Sequence, residues 1–298
     1  MQRNPQLLPP LLDFVANGLK SEATTAASAQ AMKHLCDACA EHLAQEQTIS
    51  QLLAMYLGTL SLSLQPADRV DLISALASVV SHLDVSRIPD AMKAIAQPLV
   101  ERLSAALNGQ TSTPNEVAVA LEQLCALLRG VSPAQTRLGW AEAEVQKLGG
   151  HPSVLLLQSL WEVLNLVFTR HGTSSNCMEK LCRCYKHTAR NCGESFRVLV
   201  PKLLPQVCAW FEQHPHSCFL YMTNVCLSAF GHGERAADLL PLFADSYRRM
   251  TVSTFQLLSA SLVDNPDVVD DFFELCGKVG AAPSRTAGAP APRPNPQA

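Results

Sequence analysis

Aromatic residues are scarce, at 6% of 298 residues. Leu and Ala dominate instead, a composition that favours helix over strand. No alternation of strand and helix patterns appears, which argues against an α/β enzyme core. Neither a Walker A sequence nor a dinucleotide fingerprint is present, so an enzyme reading has no residues to rest on and no cofactor is expected. No heptad pattern is sustained, which argues against a long coiled coil. No apolar run approaches the ~20 residues of a membrane span, and membrane insertion is not expected. The N-terminus shows no basic region followed by an apolar stretch, so no secretory signal is visible.

What is present is a globular, helical chain. Apolar residues make up 48%. The eleven cysteines lie scattered beside Leu and Ala inside helical patterns, as small buried hydrophobes in a reducing compartment do. The pattern predicts helices over 5–18, 21–43, 49–60, 66–83, 89–107 and 114–130, then a loop with one short helix around Trp140. Further helices are predicted over 152–168, 178–192, 196–211, 217–230, 236–247, 251–262 and 266–276. Ser21 and Ser217 are the expected N-caps of their helices. Thr113-Pro-Asn-Glu116 is a strong helix start: a cap, Pro in the first turn and an acid at the positive end of the dipole. The second helix of each pair begins near Ser21, Pro66, Pro114, Ser175, Ser217 and Pro266. A recurrence of roughly 40–50 residues fits helical hairpins of the HEAT type. The expected fold is an all-α HEAT-repeat solenoid of stacked antiparallel pairs over 1–280. The Ala/Pro-rich stretch 281–298 is read as a disordered tail.

One helix stands apart by charge. Between Arg170 and Lys202 there are seven Lys or Arg and two acids, a local +5 on a chain of net charge −3. Within Met178–Cys192 the residues Lys180, Arg183, Lys186 and Arg190 share one helix face, within an arc of roughly 120°. Leu181, Tyr185, Thr188, Ala189 and Cys192 take the packed side, with Cys182 and Cys184 at its borders. Gly193 is placed to end the helix. A basic stripe on a slightly acidic chain points to an anionic partner. The alternative is a solvated face, with Glu179 paired to Arg183 at i, i+4.

Other groupings resemble sites without the spacing of one. Cys36-Asp-Ala-Cys39, with His34 and His42 nearby, sits in mid-helix with no second ligand pair along the chain, so no metal is expected. Cys182 and Cys184 are too close for a shared metal or a relaxed disulfide. His214-Pro-His216 reads as an interhelical turn. Direct nucleic-acid binding would call for basic stripes on successive repeats with stacking aromatics, and Tyr185 is assigned to the packed face.

Several strings, in this order, carry a family resemblance. They are Arg3-Asn-Pro-Gln-Leu-Leu8, His151-Pro152, Trp161-Glu-Val-Leu164, Glu179-Lys-Leu-Cys-Arg-Cys184 with Arg190, and His216-Ser-Cys-Phe-Leu-Tyr221. Thr254-Phe-Gln-Leu-Leu258 and Asn265-Pro-Asp-Val-Val-Asp-Asp271 continue the series. Together they resemble the transportin-SR branch of the importin-β superfamily, nuclear import receptors for serine/arginine-rich splicing factors. The resemblance covers roughly 3–279. It implies the middle-to-late repeats of a chain about three times as long, without the family's N-terminal arch, a main Ran-GTP surface. Ran-GTP binding by this chain is therefore expected to be weak or absent. In the family an arginine-rich helix binds phosphorylated RS domains. That role carries onto Lys180, Arg183, Lys186 and Arg190, with Arg197 as an accessory. Two of the four are Lys where the family motif favours Arg. The implied partners are phosphorylated splicing factors, with nucleoporins also allowed, and the implied location is cytoplasm and nucleus. The competing reading is a HEAT scaffold that holds protein partners without transport.

Overall fold

A computed structural model describes residues 7–109, 113–132 and 140–281. The chain divides into two compact units, Met1–Leu203 and Leu204–Ala298. The stretch 282–298, read above as a tail, lies outside the described residues, as does 3–6.

In the first unit the helices are α1 (Leu8–Gly18), α2 (Thr25–Leu43), α3 (Glu46–Thr59), α4 (Pro66–Val80), α5 (Ile88–Asn108), α6 (Pro114–Gly130), α7 (Glu142–Lys147), α8 (Pro152–Ser159), α9 (Trp161–His171) and α10 (Ser175–Cys192). A 3-10 segment, Gly193–Leu199, leads into α11 (Val200–Gln213), most of which belongs to the second unit with α12 (Ser217–Phe230), α13 (Leu240–Ala260) and α14 (Pro266–Ala281). No strand occurs among the described residues.

The first unit has two layers. Helices α2, α4, α6 and α10 pack each on the next, and α3, α5 and the α8–α9 pair form the second layer. The layered helices α2, α4, α6 and α10 are the ones whose starts recur in the sequence. In the second unit α12 packs on α14, with α13 against both. Arg249 of α13 grips Glu212 of α11 through Nε and Nη2, each 2.7 Å from a carboxylate oxygen. That forked geometry is the strong form of a charge-assisted bond.

Local chemistry explains the middle helices. Thr113 and Glu116 form a full capping box: Thr113 Oγ1 accepts from Glu116 N at 3.3 Å, and Thr113 N donates to Glu116 Oε2 at 3.1 Å. Helix α6 sits between α4 and α10 and also meets α5, so it is buried almost all round, from Val117 to Leu128. Its apolar pattern is accordingly continuous rather than one stripe. At its end, Ser81 ties three segments together. Ser81 Oγ donates to Gly130 O and accepts from Ser132 N, both at 3.0 Å. Trp140 Nε1 donates to Ser81 O at 3.0 Å and stacks over His151, 4.9 Å between ring centres.

The structure corrects several boundaries. Ser21 is no helix cap; it ends a turn whose carbonyl accepts from Thr25 N at 2.9 Å, and α2 starts four residues later. The predicted helix 152–168 is two helices, broken at Leu160 (φ −93°, ψ 1°). Apolar residues lie on both sides of that break, so periodicity could not show it. The predicted helices 236–247 and 251–262 are one, α13, because Arg248–Thr251 continue the turn without a breaker. His216, not Ser217, holds the N-cap position of α12. Residues 142–171 are long and apolar enough in composition to cross a membrane. They fold as three short helices instead, and α8 and α9 pack against α5 and α10.

All eleven cysteines are free thiols and ten are buried. Cys36 and Cys39 face the core while His34 and His42 are exposed, so the four do not converge. Burial and the neighbouring Asp37 push the Cys36 thiol up to about 12. Among the described residues no group of three His, Cys, Asp or Glu could hold a metal ion.

His151 caps α8 and gives a pH test. Its Nδ1 accepts from Ser153 N at 3.2 Å, so the ring proton sits on Nε2 and the ring is neutral. Burial lowers its pKa to about 4, below the ordinary value near 6.5. The unfolded chain therefore takes up this proton first on acidification. The stabilisation is complete above about pH 6.5 and is lost progressively toward pH 4; at pH 5 the loss is about 2 kcal/mol. Thermal melts of wild type and His151→Asn between pH 7 and pH 5 check this. Asn keeps the cap, and the pH slope is expected to flatten.

Candidate functional site

Helix α10 is capped by Ser174, whose Oγ accepts from Cys177 N at 3.4 Å. It stops at Gly193, which has φ 49° and ψ −129°. An added Cβ at Gly193 would meet nothing within 4 Å, so only the backbone conformation demands glycine there. Gly193→Ala is expected to cost about 1 kcal/mol or more, read as a lower melting temperature.

The packed face is as the sequence implies: Leu181, Tyr185, Thr188, Ala189 and Cys192 are buried, and Cys182 and Cys184 are buried fully rather than at the borders. Tyr185 stands edge-on to Trp161, centroids 6.1 Å apart, and burial raises its hydroxyl pKa. It is not available to stack on a base.

A feature the sequence did not announce fixes this helix in place. Cys177 Sγ donates to Pro114 O at 3.0 Å, Cys184 Sγ to Leu121 O at 3.6 Å, and Asn191 Nδ2 to Leu128 O at 3.4 Å. Each pair is 63 residues apart and each step is seven. Two turns of helix repeat the contact, so α6 and α10 run parallel in one register. The seven-residue spacing of Cys177, Cys184 and Asn191 is a sequence signal, but their common target lies on another helix. The neighbouring Cys184 and His187 pull the Cys125 thiol down, while Cys125 and burial push that of Cys184 up. Both thiols are buried.

The structure brings the four predicted cations to one side of α10, but not equally into solvent. Arg190 is exposed; Lys180, Arg183 and Lys186 are half-buried, as is Arg197 on the following 3-10 segment. Lys180 forms an ion pair with Glu122 of α6, its side chain only 17% exposed. Arg183 pairs with Glu179 one turn back, the pairing expected of a solvated face. Sequence reasoning missed Glu122, which lies 58 residues away and meets Lys180 only through helix packing. Lys202, also part of the basic run, lies over the Trp161 ring at 4.3 Å. Along the same layer, Lys33 of α2 pairs with Asp71 of α4 at 2.9 Å. Between α4, α6 and α10 lies a surface cleft of about 450 Å³, lined by Asp71, Glu122 and Lys180 among others.

Residues 151–258, which include α10, match the fourth TPR domain of the transportin-3/importin-13 family, and 1–55 match its third. Transportin MOS14 of Arabidopsis thaliana is 24% identical over 91% of this chain. An uncharacterized protein of Schizosaccharomyces pombe is 24% identical over 89%. This chain spans 27% of the length of each. A structure of importin-13 in its cytosolic state superposes with TM-score 0.75 at 20% identity, over 92% of this chain and 31% of that one. The fold is thus an all-α HEAT-repeat solenoid. Matched by two successive domain models over more than half its length, the chain belongs to the transportin-3/importin-13 family of the importin-β superfamily.

Proposed function

We propose that this chain holds cargo for a nuclear import receptor, binding phosphorylated serine/arginine-rich segments through the basic face of α10. The observation that carries the reading is the row Lys180, Arg183, Lys186 and Arg190 on one side of a helix locked in register to its neighbour. A phosphoserine carries about −1.5 to −2 charge and three acceptor oxygens. From residue 180 to 190 the helix rises about 15 Å. An extended Ser-Arg repeat advances about 7 Å per dipeptide. The row therefore matches about three consecutive phosphates, and peptides with fewer should bind more weakly. Lys at 180 and 186 offers a point charge rather than a fork, so phosphate is held there with less directional selectivity. Arg197 extends the same charge as an accessory contact.

The cellular reading follows from the family. The chain would shuttle between cytoplasm and nucleus and bind splicing-factor cargo. Nucleoporins are further candidate partners. Titration calorimetry of the 298-residue chain with phosphorylated and unphosphorylated Ser-Arg repeat peptides, at two salt concentrations, tests the central claim. Tight, salt-sensitive binding of the phosphorylated form alone supports it. Equal affinity for both would leave α10 an ordinary charged surface.

A further inference from the structure

Two cross-helix ion pairs run along the layer that carries α10, and a cleft lies between them. Lys33–Asp71 bridges α2 to α4, and Glu122–Lys180 bridges α6 to α10. The cleft of about 450 Å³ has a carboxylate on two of the three helices bounding it, Asp71 on α4 and Glu122 on α6. Val70 and Val119 supply apolar wall, and Asn115 and Asn176 supply amides. Its volume falls in the range of small-ligand sites, roughly 300–1,000 Å³.

An apolar wall ending in carboxylates suits one side chain above others. Arginine has a long apolar stem and a planar fork that engages carboxylates with two bonds. Lys180 belongs both to this cleft and to the basic row of α10. A phosphate that takes Lys180 must draw it from Glu122. The released carboxylate, which lines the same cleft as Asp71, is then left without its cation.

We propose that the α4–α6–α10 cleft takes the arginine neighbouring a phosphoserine of the bound segment. The cargo's own phosphate–guanidinium pair thereby exchanges with the Lys180–Glu122 pair. This rests on the function proposed above and adds what α10 alone cannot give, recognition of the arginine as well as the phosphate. The exchange conserves ion pairs, so little charge is left uncompensated on binding. It also accounts for an acid at the edge of a face built for anions. Glu122 releases Lys180 most readily to a ligand that brings a cation in return.

The sign of one measurement separates this from a purely basic surface. The probes are a phosphorylated Ser-Arg repeat peptide and the same peptide with every arginine replaced by citrulline, which is neutral and nearly isosteric. Against a basic face alone, removing the peptide's positive charges relieves repulsion and tightens binding. With the cleft, the same change is expected to weaken binding about tenfold. Glu122→Gln and, separately, Asp71→Asn are each expected to reduce that preference to within about threefold. Melting curves establish that each variant folds, and the variants come from different helices, so one can fail without ending the test. Citrulline peptide binding as tightly as, or more tightly than, the arginine peptide overturns the inference while leaving the phosphate reading intact. So does an unchanged preference in a folded variant. Wild type that binds neither phosphorylated peptide overturns both.

Discussion

Changing Lys180, Arg183, Lys186 and Arg190 together to Ala is expected to weaken binding of a phosphorylated Ser-Arg repeat peptide about a hundredfold. Charge-assisted bonds contribute about 1.5–3 kcal/mol in favourable sites. These cations are half-buried or exposed, and Glu122 and Glu179 compete for two of them. Partial solvation reduces the contribution to roughly 0.7 kcal/mol each, and four such losses amount to about a hundredfold. The fold is expected to survive. None of the four is buried, and Ala is the best helix former. Surface changes of this kind usually stay within about ±0.5 kcal/mol each. Lys180→Ala leaves Glu122 without its cation, but that side chain is 42% exposed and water can solvate it. The complementary variant, Lys180→Arg with Lys186→Arg, should bind more tightly than wild type, because the fork engages phosphate with two bonds. Calorimetry reads both directions, and circular dichroism reports the helix content. A quadruple variant that binds as wild type does would remove α10 from the site.

Gly130→Ala is expected to destabilise the first unit by about 1–3 kcal/mol. An added Cβ would stand 2.5 Å from Ala77 Cβ, on the neighbouring α4. Real carbons do not approach so closely, so α4 and α6 would have to part where Ser81 joins them. Ala77→Gly removes the nearest atom; what remains near the new Cβ is Ala77 Cα at 3.7 Å and Ser74 O at 3.8 Å, ordinary contact. Alone, Ala77→Gly costs about 1 kcal/mol of helix propensity. The double variant should be no less stable than Ala77→Gly, which gives a coupling of about 1–3 kcal/mol between the two positions. Urea denaturation of all four forms measures the cycle. Simple additivity would mean that the helices do not touch at this point.

The sequence by itself determined the class of the fold. Leu and Ala at helical spacing, with Pro and capping residues at 66, 114 and 266, marked helix starts because those residues act on their own backbone, within a turn. The same locality revealed the two faces of α10, since a face depends only on the 100° step between residues. It failed where local chemistry is silent. The break at Leu160 separates two apolar helices, and the unbroken α13 passes a stretch of polar residues that reads as a turn in the sequence. Tertiary structure alone decided what surrounds the basic row. Glu122 reaches Lys180 because α6 and α10 lie parallel in a register spaced by 63 residues, and the Asp71–Glu122 cleft exists because α4 and α6 are neighbours in the layer. Periodicity tells which side of a helix is charged. Only packing, summed over residues distant in the chain, tells which charges it faces.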